Sequence, residues 1–258
     1  MNVRFFILII SMLYAINCDA QRRRTPVFDW DAKMDQMGLV DVCHWEPSIQ
    51  AYLVYRTANN FMGKPLYNRK LTKAWLHPRA ATKIIRAQEL LRKERPTLSI
   101  LILDAARPVE VQQLMSEWAE QHKNNYYVAN PEKGGGLHNY GMAVDVTLVD
   151  ANGDRLPMGT PFDFFGPEAN TDREDELLKN KQISQEEYDN RRFLRRVMQQ
   201  AGFQSVTSEW WHFNACTREE AVKSFKPIRE KEPPPTPPTS PTKTKKKSRT
   251  VKQSNKKT

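Results

Sequence analysis

Residues 134–145, GGGLHNYGMAVD, are the stretch on which the rest of the chain depends. A glycine run leads into His138, a turn follows, and the apolar segment after the turn carries Asp145. Gly141 in that turn lets the loop fold His138 back over the segment with Asp145. A buried carboxylate is costly unless it is paired, hydrogen-bonded or metal-bound. Taken alone, the two residues fit a metal site and a structural aspartate beside a surface histidine equally well.

A second stretch, residues 208–214 (SEWWHFN), adds Glu209 and His212. Two histidines, an aspartate and a glutamate are the inventory of a catalytic zinc site, with three ligands and a carboxylate that handles a proton. On a regular strand, residues three apart point to opposite faces, so a bulge or a strand end is needed near Glu209. The ExxH spacing also occurs by chance, and the flanking aromatic residues fit core packing. No HExxH motif is present, which excludes the helix-borne zinc proteases.

The hydrophobic pattern predicts a single α+β domain over residues 21–225, with a central antiparallel sheet and flanking helices. The apolar run 98–103 (LSILIL) predicts a buried strand, and residues 142–149 predict another. Helices are expected near 80–94, after Pro108 and from Ser184, where Glu187 completes a capping box. Residues 40–55 and 203–214 look strand-like. The inner face expected for the second helix consists of Val111, Leu114, Met115 and Trp118.

The charge of the chain is concentrated at its C-terminal end. Residues 226–258 hold 11 Lys/Arg and 2 Glu, which account for +9 of the net +10. The rest is close to neutral, so the basic pI is weak evidence for nucleic-acid binding, and no nucleic-acid partner is expected. The tail reads PPPTPPTSP and then KTKKKSRTVKQSNKKT, which predicts a disordered proline spacer ending in a polycation. Such a tail fits a solvated appendage or attraction to an anionic cell-envelope polymer.

Residues 1–20 predict a cleaved secretion signal, with Arg4 before an apolar run at 5–16 and Ala20 at the cleavage position. The run is shorter than the ~20 residues that a membrane span needs, so no transmembrane span is expected after cleavage. Lipidation of Cys18 is the less favoured alternative. We therefore expect an exported protein, periplasmic or associated with the cell envelope. In an oxidising compartment, a disulfide between Cys43 and Cys216 and two free thiols are equally compatible with the sequence.

Arg107 directly follows the predicted buried strand, where it fits a surface cation, a partner of Asp104 or a group that stabilises an oxyanion. Several stretches together are more specific than any one residue. They are YRTANNFMGKPLY, LDAARP, HNYGMAVDVTL, LPMGTPFDFF, NRRFLRRVM and SEWWHF. In content and order, the chain resembles the VanX-type D-alanyl-D-alanine dipeptidases, which are zinc peptidases of the Hedgehog/D,D-peptidase fold.

The resemblance implies a role for each matched residue. One zinc ion per chain would be bound by His138, Asp145 and His212. Glu209 would be the general base and acid, and Arg107 would stabilise the tetrahedral oxyanion. Tyr55 and Asp163 would line the substrate pocket, where a carboxylate suits a free amino terminus. The chain departs from the family at Gly136, where a serine is usual, and at Ala105-Ala106 in place of Gly-Tyr.

The resemblance also implies the activity, which is hydrolysis of the dipeptide D-Ala-D-Ala in the cell envelope. One alternative is a carboxypeptidase or endopeptidase that trims peptidoglycan stem peptides. A second alternative is a non-catalytic, zinc-stabilised module that binds the cell wall through its cationic tail. The presence of Glu209 counts against the second alternative, since a binding module has no need of a general base.

Overall fold

The computed structural model describes residues 27–231. The predicted signal segment, with Arg4 and Cys18, lies outside the described residues, as does the tail beyond residue 231. Within residues 27–231, no helix has both the length and the apolar character that crossing a bilayer requires.

A five-stranded sheet forms the centre of the protein, in the order β2-β4-β5-β7-β6. Neighbouring strands are antiparallel except β2 and β4, which are parallel. A separate antiparallel pair joins β1 to β3. The strands are β1 Val40–Asp41, β2 Gln50–Ala51, β3 Trp75–Leu76, β4 Ser99–Asp104, β5 Ala143–Val149, β6 Gln204–Ser205 and β7 His212–Asn214. The predicted α+β class is confirmed, and the parallel edge pair is the departure from a fully antiparallel sheet.

Seven α-helices and four short 3-10 helices surround this sheet within the described residues. The α-helices are α1 Trp30–Gln36, α2 Val42–Trp45, α3 Pro78–Glu94, α4 Val109–Gln121, α5 Glu174–Lys179, α6 Gln185–Gln200 and α7 Arg218–Ser224. The 3-10 helices are Val54–Arg56, Pro131–Lys133, Leu137–Tyr140 and Pro167–Ala169. The predicted start of α6 is confirmed, because the Ser184 hydroxyl accepts from the Glu187 N–H and the Glu187 carboxylate accepts from the Ser184 N–H.

The core lies where α3 and α6 pack against each other and α3 packs on β4. Every residue of β4 and β5 is buried, as the continuous apolar run of β4 predicts for a strand covered on both faces. Each large apolar side chain in this core contributes about 1.5–3 kcal/mol relative to an exposed position. The two strands that carry or adjoin the candidate site are therefore buried along their whole length.

Three sequence-based predictions of local structure are wrong. Residues 203–214 do not form one strand, because a loop that carries Glu209 separates β6 from β7. Residues 40–55 do not form one strand, because the Asp41 carboxylate accepts from the Cys43 N–H and starts α2 between β1 and β2. Leu114 does not face inward in α4, where it is 44% exposed, and Gln112 is buried instead.

The two cysteines in the described part of the chain, Cys43 and Cys216, are free thiols, so no disulfide joins them.

The domain extends past the predicted boundary at residue 225. Ile228 is fully buried, its N–H donates to the Asn139 carbonyl at 2.7 Å, and its carbonyl accepts from the Val109 N–H at 2.9 Å. Residues 226–231 therefore lie against the domain, and the predicted disordered tail begins later than Lys226.

Candidate metal centre and active site

Three predicted metal ligands meet where β5 and β7 pair. Asp145 lies directly opposite His212 in the antiparallel register, and His138 lies in the 3-10 turn just before β5. The His212 Nδ1 is 2.9 Å from the Asp145 Oδ1, and the His138 Nε2 is 3.3 Å from the same oxygen. The two ring nitrogens, His138 Nε2 and His212 Nδ1, are 3.1 Å apart. Backbone pairing thus fixes two of the three groups, and the turn supplies the third.

The turn that carries His138 depends on Gly141. This residue has φ of +64°, and a Cβ there would lie 2.9 Å from the His77 backbone nitrogen. The Gly141 N–H donates to the carbonyls of His138 and Leu137, which closes the turn. The His138 carbonyl also accepts from the Arg107 N–H at 3.0 Å. The loop therefore folds back over β5 as the sequence predicts.

Hydrogen bonds on the far side of each ring decide which nitrogen faces the centre. The His138 Nδ1–H donates to the Ala105 carbonyl at 2.7 Å, and the His212 Nε2–H donates to the Asn214 Oδ1 at 2.9 Å. The lone pairs of the other two nitrogens then face each other and the Asp145 carboxylate. Two facing lone pairs repel unless a cation or a proton lies between them. Outer hydrogen bonds of this kind are typical of metal-binding histidines.

The donor set has the dimensions of a zinc tripod. Three ligand atoms about 2.0–2.1 Å from a tetrahedral ion would lie roughly 3.3 Å from one another. The distances among the three donor atoms are 2.9, 3.1 and 3.3 Å. The imidazole and carboxylate donors also match the chemistry that zinc prefers. The residues present therefore fit zinc.

The charges at the site show the same preference for a cation. Burial lowers the pKa of His212, but the bond to Asp145 and the charges of Asp145 and Glu209 outweigh it and raise this pKa to about 9. For Asp145, burial raises the pKa, but the two histidines outweigh it and hold the carboxyl well below its usual range. Without an ion, the site would therefore retain a proton on an imidazole beside the Asp145 carboxylate. That is one positive charge at the place where a metal would bind.

Glu209 lies in the loop between β6 and β7, three residues before β7 begins at His212. Glu209 therefore lies outside the regular strand, so it can face the same site as His212 although the two residues are three apart. The side chain is half-buried and lines the same cavity as the three ligands. Burial, with a smaller contribution from Asp145, raises the pKa of Glu209 to about 7, against the opposing charges of His212 and Arg107. A carboxyl group with this pKa exchanges protons readily at neutral pH.

Arg107 reaches the site from the end of β4 and is only 8% exposed. Its Nε and NH2 donate to the Asp104 Oδ2 at 2.9 and 2.6 Å, and its NH1 donates to the Gln112 Oε1 at 2.8 Å. The NH2 also lies 3.6 Å from the Asp145 Oδ2. The guanidinium packs over the Tyr55 ring, with its carbon 5.0 Å from the ring centroid. Arg107 is therefore a partner of Asp104 and also faces the cavity.

Asp163 has one carboxylate oxygen with a partner and one without. The Tyr55 hydroxyl donates to the Oδ1 at 2.9 Å, while the buried Oδ2 has no hydrogen-bond partner among the described residues. Burial raises the pKa of Asp163 well above its usual range. The residue also has φ of +62°, which is uncommon for a side chain other than glycine. A buried oxygen left unpaired beside a cavity suits a ligand that donates hydrogen bonds.

All of the predicted site residues line one cavity of about 660 Å³. They are Tyr55, Arg107, His138, Asp145, Asp163, Glu209 and His212. Gly136, where the chain departs from the family pattern, lines it too. An aromatic wall completes it with Phe61, Tyr127, Phe165 and Trp211.

Sequence reasoning missed all or part of the role of three groups that hold the site together. Asn214 lies two residues after His212, on the same face of the strand, so strand periodicity could have identified it. Asp104 had been considered only as a partner of Arg107, and it also accepts from the Tyr67 hydroxyl. Gln112 gave no signal, because an amphipathic helix pattern predicts an apolar residue at a buried position.

Comparison with known proteins identifies the family of this chain. A family model described as D-ala-D-ala dipeptidase matches residues 35–226. A D-alanyl-D-alanine dipeptidase of Enterococcus faecium is 30% identical over 178 residues, covering 62% of this chain and 82% of that protein. The enzyme of the same name from Escherichia coli K12 is 30% identical over 179 residues, covering 69% and 85%.

A solved structure of a vancomycin-resistance D,D-pentapeptidase in complex with Zn(II) is 18% identical. It aligns with a TM-score of 0.33 over 60% of this chain and 81% of that one, a likeness too weak to bear on fold or function. The family model covers most of the chain, and its residues 35–226 include every residue of the metal tripod. The chain therefore belongs to the D-alanyl-D-alanine dipeptidase family and is a zinc-dependent peptidase.

Proposed function

We propose that this protein hydrolyses the dipeptide D-Ala-D-Ala, with one zinc ion per chain held by His138, Asp145 and His212. The observation that carries the proposal is the convergence of three donor atoms within 2.9–3.3 Å of one another, with both outer ring nitrogens already bonded. The two relatives described above are named for cleavage of this dipeptide. Zinc at this position supplies Lewis acidity, which makes an attacking water more acidic and the scissile carbonyl more electrophilic.

Glu209 supplies the proton transfers. It accepts a proton from the attacking water, and the resulting hydroxide forms the new bond to the peptide carbon. When the C–N bond breaks, Glu209 returns the proton to the leaving amine. Burial raises its pKa to about 7 before zinc binds, and the charge of a bound zinc ion would lower this pKa, which favours the carboxylate that accepts the first proton.

Arg107 stabilises the negative charge that develops on the carbonyl oxygen. Its guanidinium is held by Asp104 and Gln112 before any substrate arrives, so little reorganisation is needed during the reaction. The Tyr55 ring and the limited exposure of Arg107 keep most water away from the charge. A hydrogen bond to a developing oxyanion is stronger in such a site than in water.

Asp163 and Tyr55 recognise the amino end of the substrate. The unpaired Oδ2 of Asp163 is an acceptor for an ammonium group, and the Tyr55 hydroxyl holds the carboxyl group in position. Burial raises the pKa of Asp163, and the positive charge of a bound ammonium group would oppose this shift and favour the carboxylate. A substrate anchored by its free amino group presents the first peptide bond to the metal tripod. This arrangement favours a dipeptidase over an endopeptidase, since an internal bond has no free amino group beside it.

A stem-peptide carboxypeptidase is the second candidate, and the size of the cavity favours it. A volume of about 660 Å³ lies in the range of pockets that hold drug-sized ligands, which are larger than a dipeptide. Export to the cell envelope, which the N-terminal segment predicts, would bring the enzyme to peptidoglycan. The basic tail would hold it near anionic polymers there.

Cleavage of three substrates by the purified, zinc-loaded protein tests the proposal. We expect hydrolysis of D-Ala-D-Ala and little or none of its N-acetylated form or of a pentapeptide stem. The acetylated dipeptide is the matched control, because it differs only in the ammonium group that Asp163 would bind. Cleavage of the stem peptide alone would contradict the dipeptidase proposal and support the carboxypeptidase. Failure to cleave any of the three with zinc bound would favour the binding module.

A further inference from the structure

Gln112 is a buried polar residue on a helix face where an apolar side chain is expected. It lies in the first turn of α4, is 1% exposed and lines the cavity of the active site. A buried amide is costly unless its donor and acceptor groups are satisfied. Its neighbour Gln113, by contrast, makes an exposed hydrogen bond to Glu117 within the helix. The two adjacent glutamines therefore serve different purposes.

The side chain of Gln112 connects two walls of the cavity. Its Oε1 accepts from the Arg107 NH1 at 2.8 Å, and its Nε2 donates to the Ala129 carbonyl at 2.8 Å. Ala129 belongs to the wall that continues to Gly136, and a Cβ built on Gly136 would lie 3.5 Å from the Ala129 Cβ. Gln112 thus joins the guanidinium of Arg107 to the segment that leads into the metal-binding turn.

Arg107 has contacts on two edges, and Gln112 supplies one of them. Asp104 binds the Nε and NH2 edge, and Gln112 binds NH1. Asp104 alone would hold the guanidinium by hydrogen bonds along a single edge, with only packing against the Tyr55 ring on its face. A second contact on NH1 fixes the plane of the group, and alignment of this kind is a main source of catalytic rate.

The neutral charge of Gln112 also matters. Arg107 already lies beside two carboxylates, Asp104 at 2.6 Å and Asp145 at 3.6 Å. A third carboxylate in the position of Gln112 would further cancel the positive field that Arg107 presents to the cavity. An amide oxygen accepts the same hydrogen bond without adding a charge, and its amide nitrogen is available for the cavity wall.

We propose that Gln112 is a positioning residue, which fixes the orientation of Arg107 toward the substrate oxygen and ties it to the wall at Ala129. The role in the reaction rests on the proposed peptidase function. The orientation of Arg107 itself does not, because the contacts exist without a substrate. The two parts can therefore be measured separately.

The test compares Gln112→Met with the matched control Gln113→Met in the zinc-loaded protein. Met keeps the length of the side chain and removes both hydrogen bonds. We expect kcat on D-Ala-D-Ala to fall about tenfold in Gln112→Met, with KM, zinc content and melting temperature close to the unmodified protein. In substrate-free protein, solvent exchange of the Arg107 Nε–H, measured by NMR, should become several-fold faster. Gln113→Met should change neither quantity.

Each outcome decides the proposal. If the Arg107 Nε–H exchanges at an unchanged rate in Gln112→Met, the positioning role is overturned, whatever the value of kcat. If the exchange is faster but kcat is unchanged, Gln112 positions Arg107 but has no role in the reaction. If the unmodified protein cleaves no D-Ala-D-Ala, the proposed function fails, and exchange alone decides whether Gln112 positions Arg107. Should Gln112→Met fold poorly, Gln112→Ala serves as the second variant, since its smaller side chain lets water reach the two groups left unpaired.

Discussion

At the scale of single residues, the metal tripod depends on which ring nitrogen carries the proton. Ala105 and Asn214 hold the outer N–H groups of His138 and His212, and this leaves the inner nitrogens as lone-pair donors. The first acceptor is a backbone carbonyl and is insensitive to substitution. The second acceptor is a side chain, so substitution of Asn214 measures how much the tautomer of His212 contributes to zinc affinity.

We predict that Asn214→Ala weakens zinc binding by about tenfold or more, because nothing then holds His212 in the metal-binding tautomer. Competition with a chelator measures the affinity. Asn214→Asp is the control, since it keeps an acceptor for the His212 N–H and should retain most of the affinity. Equal affinities in Asn214→Ala and the unmodified protein would show that the tautomer is fixed by other contacts.

Asp163 provides a second test at this scale. Asp163→Asn keeps the size of the side chain and removes the charge, so KM for D-Ala-D-Ala should rise by about tenfold or more. Steady-state kinetics on the free and N-acetylated dipeptides would separate recognition of the amino group from general damage. The preference of the enzyme for the free dipeptide should shrink in the variant. A preference as strong as that of the unmodified protein would place the ammonium site elsewhere.

At the scale of elements, the turn between the 3-10 helix Leu137–Tyr140 and β5 requires glycine. Gly141→Ala should destabilise the protein by about 1–3 kcal/mol, because its backbone is left-handed and a Cβ would meet the His77 backbone. Urea denaturation measures the change. Gly153→Ala is the matched control, with φ of +87° but open space around the added carbon, and its smaller cost isolates the steric part. Equal costs would mean that the His77 contact relaxes freely.

Local patterns predicted the elements whose signals lie within the element itself. The capping box at Ser184, the apolar runs of β4 and β5, and the position of Pro108 before α4 are examples. The prediction failed for residues 40–55, where Asp41 starts a helix between short strands. It failed again in α4, where Leu114 is exposed and Gln112 is buried, because a helix pattern does not reveal that Arg107 needs a neutral acceptor. The sequence motifs identified seven site residues that line one cavity. Periodicity alone could not distinguish a metal site from a structural aspartate beside a surface histidine.

At the scale of the whole molecule, the C-terminal segment is part of the domain up to residue 231. Ile228 connects α4 to the metal-binding turn through hydrogen bonds to Val109 and Asn139. Its full burial contributes about 1.5–3 kcal/mol. The segment thus supports the two loops that carry Arg107 and His138.

Two truncations test this boundary. A chain that ends at residue 231 should keep the melting temperature and the activity of the full protein. A chain that ends at residue 226 lacks Ile228 and should melt roughly 5 °C lower. Equal melting temperatures would show that Ile228 adds nothing to stability. A salt-dependent pull-down on anionic polymer tests the tail. Attraction to the polymer predicts that the full chain binds and the chain that ends at residue 231 does not, whereas a solvated appendage predicts that neither binds.

The central claim is that this chain binds zinc and uses Glu209 to move protons during peptide hydrolysis. The most direct measurement is the zinc content and the turnover of D-Ala-D-Ala in Glu209→Ala. Glu209 is not among the three ligands, so the variant should retain one zinc per chain. Its kcat should fall by about 100-fold to 10,000-fold, the contribution of a general acid–base group. Near-normal turnover with zinc bound would contradict the account.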